Sequence, residues 1–128
     1  MGGEEAPFPA QEGEMKLTEL IDELALTVKS AKKGLDREVK GGYASDLLSD
    51  VMAHSQEGDV WVTIQGHPNI VAVATLRDLA GIILANGRQP NEQTVQRAEE
   101  EGIPILCTSL PTFEVAGRLY RLGIHGHG

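Results

Sequence analysis

From residue 60 onward, short apolar runs alternate with longer amphipathic stretches along the chain. The runs at 60–64, 82–85 and 104–108 have the length and β-branched content of buried strands. Residues 70–79, 91–101 and 111–122 instead carry apolar positions at helical spacing. Because continuously apolar strands with short helical connections are typical of covered parallel sheets, this order predicts an α/β fold. We expect three layers, α/β/α, around a small and mostly parallel sheet.

The pattern before residue 60 is weaker but predicts four more elements. Thr18 is expected to cap a helix over 18–25, and 26–30 alternates like a strand. Residues 38–44 predict a glycine-interrupted strand, and Ser45 or Asp46 should cap a second helix. Farther along, Asn69 is expected to cap the helix over 70–79, and Gly81 to end it.

Both ends of the chain differ from its middle. Residues 1–14 contain four glutamates, three glycines and no positive charge, a composition that predicts a disordered acidic tail. Residues 125–128 alternate histidine and glycine, and we expect them to be frayed as well, with no metal role. The folded domain is therefore predicted to span 15–124.

The helix over 70–79 is apolar nearly all round. A helix of this kind is buried on more than one side, and in so small a domain the second side could be another subunit. This pattern favours a homodimer.

Composition limits the possible partners. The chain of 128 residues is about one domain, and its net charge of −8 comes half from the acidic tail. The remaining surface is close to balanced, with 15 acidic and 11 basic residues, so nothing favours nucleic acid or an anionic membrane. No apolar run is long enough to cross a bilayer. One cysteine cannot form an internal disulfide, which favours a cytoplasmic location.

The sequence lacks the catalytic motifs that are easiest to recognise. It has no phosphate-binding loop, no dinucleotide fingerprint, no serine-hydrolase elbow and no zinc motif, which argues against an enzyme and against a bound cofactor. Cys107 lies in an apolar run and is expected to be an inert core thiol. Trp61 is expected in the core, and His54 at the surface.

Polar loops that follow predicted strands are the candidate ligand site. Because the carboxyl ends of parallel strands face a common crevice, the loops after 60–64, 82–85 and 104–108 should converge. Helix N-termini and a histidine in such loops could hold an anion. A separate loop with two adjacent glycines and an arginine could do the same. The candidate residues are Asp36, Arg37, Gly41, Gly42, Thr63, Gln65, His67, Asn69, Asn86, Gly87 and Thr108.

Several stretches resemble one known family. They are the Gly34–Tyr43 run with Ser45–Val51 after it, the run Thr63–Ala74, and Phe113–Tyr120. Together they resemble the DRTGG domain over about 15–124, although Glu38, Val39 and Lys40 separate the Asp-Arg pair from the two glycines. The resemblance implies a fold like the N-terminal domain of the HPr kinase/phosphorylase, without its catalytic domain. It also implies a regulatory or ligand-binding module that tends to form dimers and has no catalytic residues.

We therefore expect a non-catalytic, dimeric regulatory module that binds a small anionic metabolite or nucleotide. One alternative is a pure interaction protein, accessory to a larger redox, hydrogenase or metabolic enzyme. A third possibility is an enzyme in which His67 acts with Asp36 or Cys107.

Overall fold

The computed structural model describes residues 15–127, and the predicted acidic tail lies outside these residues. The elements are β1 (Met15–Lys16), α1 (Leu17–Leu24), β2 (Thr27–Ser30), a 3₁₀ turn (Lys32–Gly34), β3 (Glu38–Val39), β4 (Gly41–Ala44), α2 (Leu48–His54), β5 (Asp59–Thr63), α3 (Asn69–Arg77), β6 (Gly81–Leu84), α4 (Glu92–Glu101), β7 (Ile105–Cys107) and α5 (Thr112–Arg121).

Five strands form the main sheet, in the order β2-β7-β6-β5-β4. Strands β4, β5, β6 and β7 are parallel, whereas β2 is antiparallel to β7 and places Thr27 opposite Cys107. A separate pair joins β1 to β3. The prediction of a small, mostly parallel sheet is confirmed.

Helices cover both faces of this sheet. Val60 and Val62 of β5 pack with the leucines of α1 and with Val115 and Leu119 of α5. The intervening Trp61 packs on the other face, against α2, α3 and α4. Alternate residues of one strand therefore serve two cores, which is why these strands are apolar throughout. The three-layer prediction is confirmed.

The apolar helix α3 is covered within the chain. It lies between α2 and α4, and Ile70, Val71, Val73 and Ala74 are buried. Among its large apolar side chains, Leu76 is exposed, at 71%. Neighbouring helices therefore account for most of its apolar surface, and the pattern no longer requires a second subunit.

The predicted ends of α3 are wrong, for local reasons. Pro68 already has helical angles, so Asn69 is the first helical residue and its side chain does not cap. The capping acceptor is instead His67, whose Nδ1 accepts a hydrogen bond from the Asn69 amide at 3.1 Å. At the other end Asp78, with a φ of 55°, terminates the helix. Gly81 opens β6 instead of ending α3.

Two predictions near the start of the domain also need correction. Helix α1 begins at Leu17, so Thr18 is inside it; Glu19 accepts a hydrogen bond from the Lys16 amide and closes the first turn. The strand expected over 38–44 is divided into β3 and β4, because β3 pairs with β1 in the small sheet and β4 pairs with β5 in the main one.

Candidate functional site

The loops that follow β4, β5, β6 and β7 meet at one side of the sheet, which we call the carboxyl edge (residues 45–47, 64–69, 85–91 and 108–111). Backbone hydrogen bonds tie neighbouring loops together. The Ala85 amide donates to the Thr63 carbonyl at 3.0 Å, and the Gly87 amide donates to the Thr108 carbonyl at 3.0 Å. The predicted convergence of the three loops after β5, β6 and β7 is thus present in the structure.

Asp46 anchors the first of these loops. Its Oδ1 accepts hydrogen bonds from the Thr63 hydroxyl at 2.7 Å and from the Ile64 amide at 2.9 Å. The backbone carbonyl of Asp46 accepts a hydrogen bond from the side-chain amide of Gln65 at 3.3 Å. The prediction that Asp46 or Ser45 caps α2 is wrong, because the helix starts at Leu48 and Asp46 faces β5 instead.

Asp46 was absent from the candidate residues although a signal for it existed. It is a polar residue immediately after a strand, as the candidates on β5 and β7 are. Its position before an apolar helical stretch suggested a cap instead.

His67 is exposed and has a defined hydrogen-bonding state. Because its Nδ1 accepts the Asn69 amide, the neutral ring carries its proton on Nε2, which is available as a donor. The side chains of Gln65 and Asn69 are exposed beside it. This part of the edge therefore offers hydrogen-bond donors to a ligand.

The loop after β6 projects a second set of polar groups. Asn86 and Gly87 both have positive φ, 62° and 73°, a conformation that suits asparagine and glycine. The turn presents Arg88 as an exposed cation. Below it the loops are close: a Cβ on Gly66 would lie 2.6 Å from the Gln89 carbonyl oxygen.

Two predicted ligand residues on this edge serve the loops themselves. Thr63 is fully buried and donates to Asp46. The hydroxyl of Thr108, partly buried, accepts the Leu110 amide at 3.1 Å. Both hydroxyls therefore take part in holding the loops in place.

The other four candidates, Asp36, Arg37, Gly41 and Gly42, lie at the opposite side of the sheet, the amino edge. The two edges are about 13 Å apart, the length of a five-residue strand. Because β2 runs antiparallel to the others, the loop that follows it emerges where β4 and β5 begin. These four residues therefore cannot share a pocket with His67.

Arg37 holds the end of α3. Its guanidinium donates to the Asp78 carboxylate at 3.0 Å, to the Asp78 carbonyl at 2.8 Å and to the Leu79 carbonyl at 3.3 Å. The Asp78 carbonyl, which also accepts the Gly58 amide at 3.0 Å, lies at the end of α3, where a cation matches the helix dipole. The side chain is thus engaged within the chain.

Gly41 permits a close contact between a buried carboxylate and a histidine. Oδ1 of Asp59, which is fully buried, lies 2.6 Å from Nε2 of His127. A Cβ on Gly41 would lie 2.8 Å from that oxygen and 2.9 Å from the imidazole. The neighbouring Gly42 amide donates to the His125 carbonyl at 3.1 Å. Residues 125–127 therefore contact the sheet, unlike the frayed end we expected.

The side chains suggested for an enzymatic role are not assembled. Asp36 lies at the amino edge, far from His67. Cys107 is buried, and that burial raises the pKa of its thiol, which disfavours the nucleophilic thiolate. Within residues 15–127, no cluster of three or more His, Cys, Asp or Glu side chains is suited to a metal ion.

A polar cluster outside both edges joins β4 to α2. The Tyr43 hydroxyl donates to Asp50 at 2.9 Å, and Nδ1 of His54 lies 3.1 Å from the other oxygen of that carboxylate. Hydrogen bonds from the Ser45 side chain and then from Tyr43 lower the pKa of Asp50. The hydrogen bond between Tyr43 and Asp50 raises the pKa of Tyr43. As predicted, His54 is exposed and Trp61 is buried, with Nε1 of Trp61 donating to the Ser45 carbonyl at 2.8 Å.

Comparison with protein families places this architecture. The DRTGG domain matches residues 18–122, most of the chain. The chain belongs to the DRTGG domain family. DRTGG domains are regulatory, non-catalytic modules, in agreement with the expectation from the sequence. No characterised protein matched in a separate search of curated sequences.

This DRTGG domain is similar in fold to the crystal structure of the CBS and DRTGG domains of the regulatory region of Clostridium perfringens pyrophosphatase, complexed with the activator diadenosine tetraphosphate. The TM-score is 0.67 at 14% sequence identity. The match covers 84% of this chain and 46% of that one, so this chain spans about half of the regulatory region it resembles. None of the helices within residues 15–127 has the length and apolarity to span a membrane.

Proposed function

We propose that this DRTGG domain is a regulatory module that binds a small anionic ligand of the nucleotide class at its carboxyl edge. It acts as a homodimer, in the cytoplasm, and responds to ligand without catalysing a reaction. The ligand contacts come from the exposed groups of Gln65, His67, Asn69, Asn86 and Arg88.

One observation carries this proposal: three loops from adjacent strands are held together by their own backbone. The bonds from Ala85 to Thr63 and from Gly87 to Thr108 fix the loops before any ligand arrives. A rigid edge loses little conformational entropy on binding, which favours affinity. In open α/β sheets this edge is where ligands bind.

The chemistry of the exposed groups supports an anionic ligand. The exposed hydrogen-bond donors are the Nε2 proton of His67, the side-chain amides of Gln65 and Asn69, and the guanidinium of Arg88. Arg88 can bind a phosphate through two parallel hydrogen bonds. The activator of the structurally similar pyrophosphatase region, diadenosine tetraphosphate, belongs to this class of ligand.

Titration calorimetry tests the proposal with defined probes at one salt concentration. The probes are AMP, ADP, ATP, diadenosine tetraphosphate and inorganic phosphate. We expect binding of at least one nucleotide, with a dissociation constant raised about tenfold by Arg88→Ala, the equivalent of one charged hydrogen bond. The matched control is Arg97→Ala, on the exposed side of α4.

Three results would reject the proposal. The first is the absence of binding by every probe at millimolar concentration. The second is an equal loss of affinity in Arg88→Ala and Arg97→Ala, which would show a general charge effect. The third is a loss of affinity confined to Arg37→Ala, which would place the site at the amino edge.

The second candidate function is docking onto a larger enzyme. It is favoured by the structural similarity to a region that regulates an enzyme, a pyrophosphatase. Co-purification from the native host would identify such an enzyme, and a partner that binds equally well with and without nucleotide would favour this function over the first.

A further inference from the structure

The exposed side of α5 carries a row of three residues, one turn apart, that the carboxyl edge does not use. Phe113, Gly117 and Arg121 follow each other at intervals of four, so they line up on one side of the helix. We call them the α5 row; it is about 12 Å long. Phe113 is 88% exposed, the highest value among the large apolar side chains of residues 15–127.

Among residues 15–127, no contact accounts for the glycine at position 117. It lies inside α5, where glycine costs about 1 kcal/mol relative to alanine. A Cβ at this position would meet nothing within 4 Å, in contrast to Gly41 and Gly66, which are closely packed. A glycine that weakens its helix and leaves open space above it is explained by an external backbone that approaches closely.

A groove with both apolar and charged lining residues continues the row toward α1. It has a volume of about 640 Å³, and Leu24 and Leu122 contribute apolar side chains to it. Charges along α5 change sign: Glu114 lies in the first turn, whereas Arg118 and Arg121 lie in the last. Glu114 and Arg118 pair with each other within the helix, at 3.4 Å, so the row itself offers an aromatic ring at one end and the Arg121 cation at the other.

We propose that α5 of a second copy of this chain packs antiparallel across the α5 row, with the two-fold axis at Gly117. This deepens the proposed function, since it rests on the homodimer and names its interface. At that axis, the two Gly117 backbones face each other and allow the helices to approach closely. Each Phe113 then faces the partner subunit's Arg121, in reach of a cation–π contact.

A second copy fits this surface better than an unrelated partner does, because the row is complementary to itself. A two-fold rotation brings Phe113 of one α5 to the partner subunit's Arg121 and the reverse, while Glu114 and Arg118 keep their ion pair within each helix. One two-fold rotation therefore forms each contact twice, once at either end of the row, as an isologous interface requires. The groove beside the row extends the contact surface toward α1.

Sedimentation of wild type and Gly117→Leu across a concentration series tests the interface. Leucine favours helix more than glycine does, and the open space above Gly117 accommodates it, so the monomer should fold with equal or greater stability. In the dimer it blocks the approach of the second helix, and we expect the dimer dissociation constant to rise at least tenfold. Ala72→Leu, on the exposed side of α3, is the matched control.

Phe113→Ala provides a second, independent variant that removes a surface side chain and spares the fold. We expect it to weaken the dimer at least fivefold, whereas Leu76→Ala, which removes the exposed apolar residue of α3, should leave it unchanged. Circular dichroism and urea unfolding of each variant establish that it is folded.

The outcomes separate this inference from the proposals on which it rests. A wild-type protein that stays monomeric at 100 times the protein concentration of the binding experiments overturns both the homodimer and the proposed interface. A dimer that resists both Gly117→Leu and Phe113→Ala, or that Leu76→Ala dissociates, overturns the α5 interface and leaves the homodimer intact. Calorimetry on the same variants measures nucleotide binding separately, so the proposed ligand site is tested independently of the dimer interface.

Discussion

Replacing Arg37 with alanine should destabilise the protein without weakening the binding of a nucleotide. The side chain makes two hydrogen bonds to carbonyls at the end of α3 and one to the Asp78 carboxylate. Each bond to a carbonyl contributes about 0.5–1 kcal/mol. The ion pair adds at most about 0.5 kcal/mol, because both side chains are partly exposed, at 33% and 60%. We therefore expect the free energy of unfolding to fall by about 1–2.5 kcal/mol.

Urea unfolding of wild type, Arg37→Ala and Arg37→Lys measures this loss. A lysine ammonium cannot reproduce the fork of a guanidinium, so Arg37→Lys should recover less than half of it. Raising the salt concentration should change the loss little, because carbonyl bonds contribute most of it. Arg97→Ala is again the control, expected within about 0.5 kcal/mol of wild type.

The result that refutes this reasoning is equal stability of Arg37→Ala and Arg97→Ala. Normal stability together with lost nucleotide affinity would show that Arg37 is a ligand residue, as the sequence pattern first indicated, and that its contacts with α3 are incidental.

Three further predictions follow from contacts described above. Gly41→Ala should lower the free energy of unfolding by about 1–3 kcal/mol in urea, because its Cβ would overlap the buried Asp59 carboxylate; unchanged stability would contradict the close packing. The pKa of Asp50 is lowered from its ordinary value of 3.8, first by the Ser45 hydrogen bond, so its ionised form stabilises the fold above that value. That contribution should be lost as the pH falls through the lowered pKa, and Asp50→Asn should show a smaller loss of stability between pH 5 and 2. The Cys107 thiol should react with a thiol reagent only as fast as the protein unfolds, and rapid labelling of the native protein would contradict its burial.

Much of the fold was predictable because its strands serve two cores. The apolar runs around Val60, Ile82 and Ile105 have no polar face, and only a sheet covered on both sides explains them. The same property limited the prediction for α3. A helix flanked by two others is apolar nearly all round, just as a helix at a subunit interface is, and local pattern cannot distinguish them.

The candidate site was half predictable, and strand direction explains the rest. The loops after β5, β6 and β7 converge because those strands are parallel, which their apolar pattern indicates. The direction of β2 depends on its pairing with β7, a contact between residues almost 80 positions apart. That contact leaves no local signal, so the loop with Asp36 and Arg37 could not be assigned to the amino edge. The role of Asp46 was missed for a similar reason, since its partner Thr63 is distant in sequence.

The contact of His127 with Asp59 joins the last described residue of the chain to the start of β5, at the amino edge. Any shortened or tagged version that removes or displaces residues 125–127 would leave the Asp59 carboxylate buried without its imidazole partner. The other carboxylate oxygen would still accept the Gln56 amide, at 2.8 Å, but a buried polar atom that loses its partner lowers stability. Hydrogen exchange at the Gly42 amide, which donates to the His125 carbonyl, would show it first. A purification tag that displaces residues 125–127 should therefore lower the stability of this fold.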